Sequence, residues 1–93
     1  MQLKPTESDL RGQWVLLDGR MVKDEVNKRI DALVEKYLKK VKADQSGWNI
    51  LFRDPSDGRY WELTYPESEI PGGGPPRLSA IDNSFAIQKY GLE

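Results

Sequence analysis

The chain reads as an α+β domain: a small antiparallel sheet of about four strands with one main helix packed on one face, in the order β-α-β-β-β with a C-terminal helical turn. Three features point there. Residues 24–37 carry apolar groups at helical spacing. Residues 48–65 form two apolar segments around a turn. The intervening residues 38–43 alternate as a strand does.

The first structured segment is expected at Gln13 to Leu17, a short apolar run ended by the Asp18-Gly19 turn signal. Asp24 then suits a helix N-cap. Beyond it Val26, Ile30, Leu33, Val34 and Tyr37 fall at i, i+4, i+7, i+8 and i+11, one buried stripe. Leu38 and Val41 would extend that stripe, whereas Tyr37, Lys39, Val41 and Ala43 alternate, so residues 37–43 admit either reading. The turn-forming run Asp44-Gln45-Ser46-Gly47 favours a helix break near Lys36 and a strand at 38–43.

The next connection is better specified. Pro55 suits the first position of a type I turn and Gly58 the left-handed position closing a four-residue loop, which sets Asp54 opposite Arg59. This register pairs Phe52 with Trp61, Ile50 with Leu63 and Trp48 with Tyr65 on one face. Arg53 with Tyr60, Leu51 with Glu62 and Asn49 with Thr64 take the other. The first set is a cross-strand aromatic ladder that the helix stripe would cover. After Pro66 come a loop, a short strand at 77–81 and a final turn of helix ending before Gly91.

Ninety-three residues make one domain, taken as 1–91, which at this size buries roughly 60–70% of its unfolded surface. Residues 1–10 are polar and expected to be flexible. Leu92 and Glu93 look like the remnant of a C-terminal tag junction. With 31% charged and 38% apolar residues, the composition is that of a folded globular chain. Without cysteine or histidine, disulfides and thiol catalysis are excluded and the common zinc sites lose the two side chains they mainly draw on. No cofactor is expected. No apolar run suits a signal peptide or a membrane span, so the expected compartment is the cytoplasm. A net charge of -1 gives no general attraction to nucleic acid, and the run Lys36, Lys39, Lys40 and Lys42 reads as a solvated face.

Glu62, Glu67 and Glu69 are carboxylates of the kind a hydrolase pairs, but Glu62 falls on the outward strand face and the others in a loop. No enzyme is expected. Gly72, Gly73 and Gly74 lack the following helix start of a phosphate loop, since Pro75 and Pro76 come next. They mark backbone passing close to something, either its own sheet or a partner. Leu38, Leu51 and Tyr60, rimmed by charge on an uncovered sheet face, suit either a modest protein interface or an ordinary wet face.

The run SGWNILFRDPSDGRYWELTYPESEIPGGGPPRL resembles the immunity protein 27 family of bacterial polymorphic toxin systems. The residues carrying the likeness include Trp48, Asp54, Gly58, Trp61, Tyr65, Pro66, Gly72, Gly73, Gly74, Pro75 and Pro76, with a looser likeness upstream in LRGQWVLLDGRMVKDEVNKRI. The resemblance implies a small α+β protein that binds a cognate toxin by direct contact and neutralises it, without catalysis. A monomer facing one toxin protein is expected, with neither membrane nor nucleic acid as partner. The open sheet face and the 66–76 loop are the expected contact surface, with Arg53, Tyr60, Arg59, Glu62 and Glu69 as candidate contacts. The alternative is a small module binding peptide or single-stranded nucleic acid through the same face.

Overall fold

The computed structural model describes residues 2–70 and 73–92, so Gly72 lies outside the described residues. Its elements are β1 (Asp9–Arg11), β2 (Trp14–Leu17), β3 (Arg20–Lys23), α1 (Glu25–Lys36), β4 (Lys39–Ala43), β5 (Ile50–Arg53), β6 (Tyr60–Thr64), β7 (Arg77–Ile81) and α2 (Asn83–Tyr90). The fold is α+β. Five strands form an antiparallel sheet in the order β1-β7-β6-β5-β4.

The helix forms where the stripe places it. The Asp24 carboxylate accepts from the Asn27 N–H at 2.7 Å and caps the first turn, and the helix gives way at Tyr37, so residues 39–43 are free to be a strand. Ile30 and Leu33 are buried, with Val26, Val34 and Tyr37 packed beside them. They meet Phe52, Trp61, Leu63 and Leu78 on one sheet face, which is the main core. Ile50 pairs with Leu63, Leu51 with Glu62, Phe52 with Trp61 and Arg53 with Tyr60, as the turn chemistry requires. Gly58 takes the left-handed conformation that closes that turn (φ 78°).

The ladder stops sooner than expected. Trp48 and Tyr65 do not pair, because β5 begins at Ile50. Trp48 is instead 67% exposed, ending the Asp44–Asn49 turn in which the Asp44 carboxylate accepts from the Gly47 N–H and the Asn49 amide. The segment at 14–17 is a strand, but it lies outside the main sheet. It forms a separate hairpin with β3 through Asp18 and Gly19, both in the left-handed region (φ 52° and 78°), as a two-residue primed turn demands.

The fifth strand is β1, from the segment expected to be flexible. Leu3 and Leu10 enter the core, and Glu7 pins the segment to α1 by accepting from Arg29 Nη1 at 2.5 Å and Nη2 at 2.8 Å. Those Arg29 bonds, aided by the Lys4 N–H, hold the Glu7 carboxyl down to about 2 from an ordinary 4.5. A lowered pKa means stabilisation that is complete above the unfolded value of 4.5 and lost as pH falls through about 2. Glu7→Gln is therefore expected to lower stability by about 1–2 kcal/mol near neutrality, less than the full shift because the pair is partly solvated. Thermal melts of the two proteins should converge as the pH is brought toward 2.

The C-terminal helical turn is an eight-residue helix, α2, capped by Asp82 and ended by left-handed Gly91. Ala86 and Tyr90 pack on Leu51, beside Tyr60 and Ile81. Because neighbouring strand residues face opposite ways, Leu51 lies on the side away from Phe52 and α1. The second sheet face is thus covered in part by α2, correcting the expectation of an open face.

Candidate functional site

Of the candidate contacts read from the sequence, Glu62 is buried. Its carboxylate accepts from the Tyr90 hydroxyl at 2.7 Å and pairs with Lys89 at 2.5 Å, tying α2 to β6 and leaving nothing for a partner to reach. Burial, then the bond to Glu62, pushes the Tyr90 hydroxyl far above its ordinary range. Arg59 is also committed. It donates to the Glu7 and Lys4 carbonyls at 2.7 and 3.1 Å and to Asp57 at 2.7 Å, and its guanidinium lies 4.9 Å from the Trp61 ring centre. Its work is to hold the N-terminal segment. Arg53 remains exposed, 5.6 Å above the half-buried Tyr60 ring, and Glu69 is exposed in the 66–76 loop.

The residues carrying the sequence likeness divide in the same way. Trp61 is fully buried. Asp54 is buried too, accepting at one oxygen from the Tyr37 hydroxyl at 2.6 Å and from the Ser56 N–H and hydroxyl at 2.8 and 2.9 Å. Burial pushes its carboxyl up, but these hydrogen bonds together outweigh that and hold it below its ordinary value. Gly74 and Pro76 are buried, and a methyl group on Gly74 would overlap the Glu67 carbonyl. Gly74 therefore passes close to its own loop, which decides between the two readings of this glycine in favour of the chain itself. Gly73 holds a left-handed conformation (φ 79°), and Tyr65 and Pro66 are exposed at the loop's start.

The apolar surface left open lies elsewhere. On the β2–β3 hairpin, Val15, Leu16, Leu17 and Met21 are all exposed, Leu16 by 70%. Where this hairpin meets the 66–76 loop two clefts open, and Trp14 and Pro76 line both. One, of about 430 Å³, is walled by Met21, Pro66, Ile70 and Pro75. The other, of about 500 Å³, is walled by Trp48, Tyr65 and Gly74 and reaches Asn27 of α1. Sequence reading named the 66–76 loop but missed the hairpin half of this surface. Its signal was the Asp18-Gly19 pair flanked by apolar residues on both sides, which marks a hairpin and not merely a strand end. Nothing local announced that the hairpin would stand apart from the sheet.

The clefts bring Tyr65, Pro66, Gly74, Pro75 and Pro76 together with a hairpin far earlier in the chain, and one family description reaches into both parts. The model of immunity protein 27 matches residues 16–82, from within β2 through β7. The chain belongs to the immunity protein 27 family. No curated protein and no solved structure matches it. Family membership implies an immunity role, and the match takes in the hairpin from Leu16 onward and the 66–76 loop. Among the described residues no cluster of acidic side chains suits a metal ion, and no helix is long and apolar enough to cross a membrane. For this immunity protein 27 family member, the exposed hairpin, the loop and the clefts between them are the candidate partner surface.

Proposed function

We propose that this chain is an immunity protein that binds a cognate bacterial toxin directly and neutralises it by covering the surface the toxin needs, without catalysis of its own. The family match supports the role. The observation that carries the choice of surface is the run of exposed apolar groups on the β2–β3 hairpin, with Trp48 and Ile70 beside it. Contiguous exposed apolar surface rimmed by polar groups is what protein partners cover, and tryptophan and tyrosine are frequent anchors there. Glu69 is exposed between Ser68 and Ile70, each of which lines a cleft, whereas Tyr60 packs against the α2 cluster with Arg53 over its ring. At a net charge of -1 the protein does not imitate a polyanion, so occlusion by shape and apolar contact is the mode proposed.

The test is co-expression with the protein encoded immediately upstream, scored by growth and by co-purification. Rescue of growth with a stable complex is the expected result, and Leu16→Asp should weaken both while leaving the melting curve unchanged, because Leu16 packs on no core residue. Rescue by Leu16→Asp equal to the parent, with Tyr60→Ala defective, would move the contact to the α2 side.

A further inference from the structure

Asn27 is 1% exposed, yet its side-chain nitrogen and oxygen have no hydrogen-bond partner among the described residues. A buried amide left unpaired is costly, and such groups are ordinarily satisfied. Local packing explains why the side chain is held where it is. The Asp24 carboxylate binds its backbone N–H, and Gly12 crosses so close that a methyl there would sit 3.0 Å from Asn27 Cα and Cβ. Packing does not explain why the side chain is polar, since leucine has the same branching at Cγ. Asn27 lines the 500 Å³ cleft whose walls include Trp14, Trp48 and Tyr65.

The lining defines the chemistry of an occupant. An asparagine side chain offers a donor and an acceptor side by side, the complement of a peptide group's C=O and N–H. The aromatic walls favour an apolar or aromatic side chain next to that group. The two ionic lining residues, Lys23 and Asp31, neutralise each other at 2.5 Å, so neither is left over to meet a phosphate or a carboxylate. A cleft of this size holds one or two residues of a chain, within the range of natural ligand sites.

We propose that this cleft receives a short apolar segment of the partner toxin, the Asn27 side chain turning into the cleft to pair with one peptide group of that segment while the segment's own side chain lodges against Trp14, Trp48 and Tyr65. The identity of the partner rests on the immunity reading above; the chemistry of the cleft does not. Asn27 would then be retained at a cost to the free protein that binding recovers.

The experiment has two arms. In the first, the protein labelled with ¹⁵N is titrated with N-acetyl-leucine N-methylamide, a single peptide unit with an apolar side chain, and in parallel with adenosine monophosphate. The amide is expected to shift the Asn27 side-chain NH₂ signals and the Trp14 and Trp48 indole signals, and Asn27→Leu should abolish the indole shifts. Asn27→Leu should melt no lower than the parent, since it removes an unpaired buried amide. In the second arm, Asn27→Leu should weaken the complex with the upstream-encoded protein about tenfold or more. Absence of shifts with the amide, or shifts with the nucleotide alone, would overturn the proposal. So would an Asn27→Leu variant that melts well below the parent, because the amide would then be satisfied within the fold. If the amide titration succeeds while the parent forms no complex with the upstream protein, the immunity reading fails and the cleft stands. If the complex forms and is indifferent to Asn27→Leu, the immunity reading stands and the cleft proposal falls.

Discussion

Replacing Trp61 by alanine is expected to destabilise the protein by about 3–5 kcal/mol, a large part of the total stability of a domain this size. Trp61 is the largest fully buried side chain, paired across the sheet with Phe52 on one side and Ala80 on the other and roofed by the α1 stripe. Removing the indole leaves a cavity between two layers that the strand pairing cannot close. The Arg59 guanidinium over the ring would also lose its seat, loosening the N-terminal segment whose Lys4 and Glu7 carbonyls it binds. Trp61→Phe should cost distinctly less, since it keeps an aromatic ring in the layer. Urea unfolding followed by far-ultraviolet circular dichroism would measure both, and a loss below about 1 kcal/mol for Trp61→Ala would show that this core is not the one that sets stability.

Asp54→Ala is expected to cost about 2–4 kcal/mol, a loss that comes from the groups left behind and not from lost apolar area. The Asp54 oxygen collects the Tyr37 hydroxyl and both polar groups of Ser56, so it closes the β5–β6 loop and joins it to the C-cap of α1. Alanine would leave the Ser56 N–H without its acceptor and the Tyr37 hydroxyl with only the Ser56 hydroxyl, at 3.0 Å. Asp54→Asn keeps an acceptor in place and should cost less: its loss against the parent reports the charge, and the further loss in Asp54→Ala reports the acceptor. In the Tyr37→Phe background the penalty for Asp54→Ala should shrink, as a double-mutant cycle read by urea unfolding would record. An unchanged penalty there would mean that the loop alone, without its link to the helix, accounts for the role of Asp54.

Much of the candidate site was written in the sequence, but not as a site. Gly73, Gly74, Pro75 and Pro76 signalled a constrained backbone, and the structure identifies the Glu67 carbonyl as the near neighbour of Gly74. Trp48 was legible as a large apolar residue but not as an exposed one, because strand alternation continues through it on paper while the Asp44 turn stops the strand after it. Glu62 read as an outward residue for the same reason: alternation assigns a face, and only the packing of α2 decides whether that face is wet. The apolar residues of 14–17 fitted a buried strand equally well.

Elements with strong periodicity or turn chemistry were legible from the residues alone. These are the helix at 25–36 with its Asp24 cap, the β5–β6 hairpin with its register, and the strand at 77–81, because each depends on neighbours a few residues away. Only long-range packing decides that β1 pairs with β7, that α2 covers part of the second sheet face, that β2 and β3 form a sheet of their own, and that the buried Asn27 side chain has no hydrogen-bond partner among the described residues. Those outcomes depend on contacts between segments tens of residues apart, where burial and hydrogen bonding compete among alternatives that no single stretch of sequence encodes.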